Sequence, residues 1–116
     1  LVSYADEVED TLEAADQLAQ QGIPCDVYKL VQIWPLPQEL VADLESYSLI
    51  LMAEECVVRG GIGEHLEAAM RQAGWQGKYL HRGVTQPQLP HATVPQIKQV
   101  LGLDGQSLAK DIQQAL

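Results

Sequence analysis

A three-layer α/β/α fold, with helices on both faces of a mostly parallel sheet of about five strands, is predicted by two features of this sequence. The first is the alternation along the whole chain of short aliphatic segments with segments whose apolar residues fall at helical spacing. The second is Leu49-Ile50-Leu51-Met52-Ala53, an apolar run with no polar alternation. A strand covered on both faces needs such a run, and parallel strands joined by helices are covered on both faces.

The elements follow in order. Leu1 to Tyr4 reads as the opening strand. Asp6 and Glu9 have the spacing of a capping box, and Val8, Leu12, Ala15 and Leu18 form a helical stripe that Gly22 and Pro24 end. Cys25 to Leu30 is the second strand, followed by the loop Trp34-Pro35-Leu36-Pro37. Pro37 suits the first turn of a helix, where its missing N–H costs nothing, and Leu40, Val41 and Leu44 give that helix its apolar face. After the central strand, Ile62, Leu66, Ala69, Met70 and Ala73 mark a third helix closed by Gly74. Lys78 to His81 is the fourth strand, and Gly83 to Ala92, with Pro87 and Pro90, reads as loop. Thr93 caps a helix carrying Val94, Ile97, Val100 and Leu101 and ending at Gly102; Leu108, Ile112 and Leu116 give a last helix.

The 116 residues, 47% of them hydrophobic, suit one domain with its own core. Sixteen acidic against seven basic residues give a formal charge of −9, which argues against nucleic acid as a partner, because phosphate binding draws on clustered Lys and Arg. Cys25 and Cys56 stand far apart with no C-x-x-C pattern, which points away from a disulfide framework or zinc site and towards a reducing, cytoplasmic setting. No run approaches the ~20 apolar residues of a membrane helix, so no membrane is expected as a partner. The chain opens inside a strand, and we expect it to be a fragment of a longer chain.

Ligands of open α/β sheets bind beyond the carboxyl ends of the strands, which directs attention to Glu54 through Gly63. Gly60-Gly61-Ile62-Gly63 before a helix has the composition of a phosphate cradle, but Leu66 stands where a dinucleotide fingerprint needs its third glycine. Glu54, Glu55 and Glu64 would also repel a phosphate, so a structural glycine turn is the better reading. Glu54 and Glu55 are adjacent and would point to opposite faces of a strand, which argues against a shared acid–base site; a hydrogen-bonded carboxylate at the strand end, or one facing a partner, fits better. His65, His81 and His91 are too dispersed to define a metal site, and Cys56 reads as an inert thiol. No nucleophile elbow and no Walker loop is present.

Several stretches together resemble the transketolase C-terminal domain family. Ser3-Tyr4-Ala5-Asp6 with Leu12-Glu13-Ala14-Ala15 and Gly22-Ile23 is similar to its opening strand and helix, and Ile33-Trp34-Pro35-Leu36 to a later turn. Leu49 to Glu55 followed by Gly60-Gly61-Ile62-Gly63 is similar to its hydrophobic strand, acidic residue and glycine cluster. The family usually has glycine where this chain has Ala5. Within the group, Glu54-Glu55 and the stretch Leu101-Gly102-Leu103-Asp104-Gly105 look most like the 1-deoxy-D-xylulose-5-phosphate synthases of isoprenoid precursor synthesis. In such enzymes thiamine diphosphate and a divalent metal, magnesium, bind between two preceding domains, where the activating glutamate also lies. The resemblance therefore implies no catalytic, cofactor-binding or metal residue in this chain, and assigns Glu54, Glu55, Gly60, Gly61 and Gly63 to structural and interface positions. The implied partners are the preceding domains of the parent enzyme and a second copy, as a homodimer. The alternative is a separate C-terminal subunit, or regulatory module, of a split transketolase or 2-oxoacid dehydrogenase.

Overall fold

Four strands form one sheet in the computed structural model of the chain, which describes residues 1–85 and 91–116. They are β1 (Val2–Ser3), β2 (Tyr28–Lys29), β3 (Leu49–Val57) and β4 (Lys78–Val84), in the order β2-β1-β3-β4 with every pairing parallel. The described residues thus carry four of the about five strands expected. After β4 the described chain continues as two helices, α4 (Val94–Leu101) and α5 (Gly105–Ala115), and adds no fifth strand. Part of the expected Gly83–Ala92 loop, residues 86–90, lies outside the described residues.

The central run is covered on both faces because its residues alternate between two cores. Leu51 and Ala53 point to α1 (Glu7–Gln20) and α5, where they meet Ala14, Leu18, Leu108 and Ile112. Ile50 and Met52 point to α2 (Gln38–Leu44) and α3 (Ile62–Gln72), where they meet Leu44, Leu66, Met70 and Trp75. A strand buried on both faces has no position for a polar residue, which is why the run lacks alternation.

Three details depart from the sequence reading. In α1 the buried face is Glu7, Thr11, Ala14 and Leu18, whereas Leu12 is half exposed. The face is selected by close packing against α5, where a Cβ on Gly105 would lie 2.8 Å from Glu13, and by a 2.9 Å bond between the Ser3 and Thr11 hydroxyls. Asp6 makes no capping bond, because its own backbone is already helical. Gly83, expected in a loop, belongs to β4: a Cβ there would lie 2.8 Å from the Cys56 carbonyl oxygen, so glycine lets β4 close on β3 beside the irregularity between Ala53 and Val57.

The chain leaves β1 through Ala5, whose φ of 55° lies in the left-handed region. An L-residue there costs roughly 1–2 kcal/mol and glycine avoids the cost. Ala5→Gly should therefore raise stability by about 0.5–1 kcal/mol in urea denaturation, after the added freedom of the unfolded chain is subtracted. Leu51→Ala should lose about 3 kcal/mol, since Leu51 is fully buried. Leu12→Ala, at 50% exposure, should lose less than about 1 kcal/mol in the same assay.

Candidate functional site

The order β2-β1-β3-β4 creates a switch point between β1 and β3, where the connections diverge to opposite sides. In doubly wound sheets this is where a crevice opens for a ligand. Here it is filled from within. Glu54, at 0% exposure, carries its carboxylate into the crevice from β3. Oε2 accepts the Gly63 N–H at 2.8 Å and Oε1 the Ile62 N–H at 3.1 Å, both from the first turn of α3. Tyr4, from the turn after β1, donates its hydroxyl to Oε1 at 2.9 Å, and His81 Nε2, from β4, lies 2.5 Å from Oε2. With an ionised acceptor, Nε2 carries the proton of that bond. The carboxylate thus ties together β1, β3, β4 and α3, and places negative charge at the positive end of the helix.

Burial opposes the charge on Glu54. The bonds from His81, Gly63 and Tyr4 outweigh it and hold the carboxyl below its ordinary range. Burial, with the bonds to Cys56 and Glu54, raises the Tyr4 phenol, which stays protonated as a donor.

The glycine cluster is shaped by this arrangement. A Cβ on Gly63 would lie 2.2 Å from His81 Nε2 and 2.6 Å from Glu54 Oε2, so no larger residue fits while the network stands. Gly60 has a φ of 75° and its N–H bonds the Glu64 carboxylate. Gly61 is the extended residue that leads into α3, a conformation open to any residue. Since the first N–H groups of α3 already hold an internal carboxylate, the turn does not fit the pyrophosphate of thiamine diphosphate. Among the described residues no group of three His, Cys, Asp or Glu side chains is placed to hold a metal.

Glu55 points the other way, to the α1 face. There Lys98 of α4 extends its ammonium among three carboxylates: Asp10 at 2.5 Å, Glu55 at 2.9 Å and Glu7 at 3.2 Å. The two adjacent glutamates therefore sit in separate clusters on opposite faces of the sheet. Burial lowers the Lys98 ammonium, but the bonds from Asp10 and Glu55 and the charge of Glu7 outweigh it and keep it charged. Tyr4, His81, Glu7 and Lys98 were not singled out as site residues in the sequence. They come from distant segments, and the strand order, not any spacing in the sequence, pairs Tyr4 with Glu54. His65 lies in neither cluster; its ring sits 5.2 Å from that of Trp34, in the exposed loop after β2. An apolar cleft of about 300 Å³ lies at the opposite, amino end of the strands, lined by Leu1, Tyr28, Tyr47 and Ile112 among others. No helix among the described residues is long and apolar enough to cross a membrane.

Gly63→Ala should cost about 1–3 kcal/mol by overpacking, measured by urea denaturation. The Glu54 contribution has a definite pH sense. Its folded-state pKa lies below the unfolded value, so the stabilisation is complete above the ordinary carboxylate range near 4.3 and is lost as pH falls through the depressed value. Glu54→Gln should lower stability at pH 7 and flatten its acid limb. An unchanged acid limb would show that the carboxylate is not ionised in the fold.

Comparison with known proteins places these features in a family. Residues 1–108 match the model of the transketolase C-terminal domain. The chain is 38% identical over 101 residues to the 1-deoxy-D-xylulose-5-phosphate synthase of Rhodococcus jostii, a match that covers 87% of this chain and 16% of that enzyme. It is 29% identical over 119 residues to the synthase of Magnetococcus marinus, covering 100% of this chain and 19% of the relative. The chain thus spans less than a fifth of the length of these relatives. Among solved structures, a split-gene transketolase described as an inactive beta4 tetramer superposes with a TM-score of 0.88 at 23% identity, covering 99% of this chain and 38% of the other, a likeness of fold. A match over residues 1–108, with strand order and glycine turn as described, makes this chain a member of the transketolase C-terminal domain family.

Proposed function

We propose that this chain serves as the C-terminal section of a transketolase-type enzyme, docking onto sections that hold thiamine diphosphate and magnesium and lacking a reaction centre of its own. One observation carries the reading: the crevice in which this fold class binds ligands is occupied by Glu54, Tyr4 and His81 of the chain itself. A side chain used as a strut between four elements is not free to act on a substrate.

The docking surface we assign is the loop after β2. Val31 is 89% exposed and Trp34 69%, with Ile33 beside them. The loop is held in shape by the Gln32 amide, which donates to the Pro35 carbonyl at 2.8 Å, and by the Trp34–His65 ring contact. Large apolar side chains presented together on an ordered loop mark contact surfaces. The occupant is the cofactor-binding section of the enzyme, carried by a partner subunit. The split-gene organisation of the structural neighbour supports this arrangement. A second reading, in which the module is the last domain of a contiguous 1-deoxy-D-xylulose-5-phosphate synthase, is favoured by the identity to the Rhodococcus jostii enzyme. In either arrangement Glu54, Gly60, Gly61 and Gly63 act structurally, and Glu55 belongs to the Lys98 cluster.

The test is association of the chain with a transketolase-type section from the same source that lacks this module, followed by light scattering. We expect a complex, weakened at least tenfold by Val31→Asp with Trp34→Ala while circular dichroism is unchanged. Association that is indifferent to both substitutions would refute the surface. Tight calorimetric binding of thiamine diphosphate with magnesium to the chain alone would overturn the function. The mass of the endogenous polypeptide that carries this sequence separates the two readings.

A further inference from the structure

We propose that Lys98 and the carboxyl groups of Glu7, Asp10 and Glu55 form a proton-controlled latch that fastens α4 to the body of the domain and loosens as the pH rises.

Beyond Leu101, which packs against the α1-face core, and a half-buried Ile97, the helix has little else to hold it. It buries none of its residues, and Val94 and Val100 are more than half exposed. Its termini are well formed, with a capping box between Thr93 and Gln96 and a left-handed Gly102, so it is a good helix that is weakly packed. Lys98 adds a polar anchor. Its side chain is 14% exposed and reaches two other elements, meeting Glu7 and Asp10 of α1 and Glu55 of β3.

Glu7 sets the proton dependence. It is fully buried, and neither oxygen makes a well-formed hydrogen bond, although Oε2 has the Lys98 ammonium at 3.2 Å. Three carboxylates around one ammonium leave an excess of two negative charges in a shielded place when all are ionised. Burial pushes the Glu7 carboxyl up to about 8; Lys98 opposes the rise, while Asp10 and Glu55 add to it. Lifting α4 withdraws Lys98, the group packed on the carboxylate, and opens Glu7 to water, where it returns to the ordinary range near 4.3 and ionises. A group whose pKa is raised in the closed state contributes fully below the ordinary value, and its contribution is lost as pH rises through the raised one. Opening therefore releases a proton between about pH 4.5 and 8, and its equilibrium constant grows by up to tenfold per pH unit in that window.

Hydrogen exchange of the α4 amides at pH 6 and pH 8, corrected for the intrinsic pH dependence of exchange, tests the latch. We expect α4 protection below that of α5 at both values, and a fall of at least tenfold in α4 protection from pH 6 to 8. Glu7→Gln should remove that fall, and Lys98→Met, which leaves both cores intact, should reduce α4 protection at pH 6. Protection that does not change with pH, or changes equally in Glu7→Gln, would overturn the proposal. So would α4 exchanging in step with α5, or full α4 protection in Lys98→Met.

Discussion

The Glu54 carboxylate is the point on which the geometry of this domain converges. Three chain segments meet at the carboxyl ends of β1, β3 and β4, and α3 begins there with its first N–H groups unpartnered by any preceding turn. A single buried acceptor with two oxygens satisfies N–H groups of α3, the Tyr4 hydroxyl and the His81 ring together. A neutral side chain would offer fewer acceptor sites and no charge to meet the helix end. Removing the acceptor would leave several buried donors without a partner, each costing on the order of 1–3 kcal/mol. Gly63 follows from the same constraint, because its bare Cα is what lets α3 approach the carboxylate and His81 so closely.

In this arrangement the switch point, where this fold class binds ligands, is filled by side chains of the chain itself. The anion-binding potential of the helix N-terminus is present, but it is satisfied internally. A buried carboxylate held ionised by three elements supplies the negative charge that a phosphate would otherwise bring. In the function proposed above, the module carries shape and surface, and other sections supply the chemistry of the whole enzyme. The acidic character of the chain acquires a similar structural reading. Glu7, Asp10 and Glu55 surround the Lys98 ammonium of α4.

The two faces of the sheet thus carry two polar clusters with opposite electrostatic balance. On the α3 face one carboxylate is met by several donors and keeps its charge below the ordinary range. On the α1 face one cation is shared by three carboxylates, and the most buried of them is pushed the other way. Adjacent residues, Glu54 and Glu55, belong to these opposite environments because a strand turns successive side chains to opposite faces. Chemical identity alone does not set the state of a carboxylate; the number of donors that reach it does.

Much of this protein was determined by its sequence. The apolar run from Leu49 to Ala53 requires cover on both faces, and the helical spacing at Leu66 and Met70 and at Leu108 and Ile112 supplies it. Thr93 with Gln96, Gly74 and Gly102 punctuate helices where local backbone chemistry demands it. These features are local, so they are legible in one dimension. The face that α1 buries was not, since Val8, Leu12 and Ala15 compete with Glu7, Thr11 and Ala14 until α5 packs close to Glu13. Nor was the joining of Tyr4, Glu54, Gly63 and His81, or of Glu7 and Lys98, which lie up to 91 positions apart. Strand order brings the first set together and the docking of α4 the second. Hydrogen bonds and charge pairs act through distances of a few ångströms in space, and only the tertiary structure decides which residues come within them.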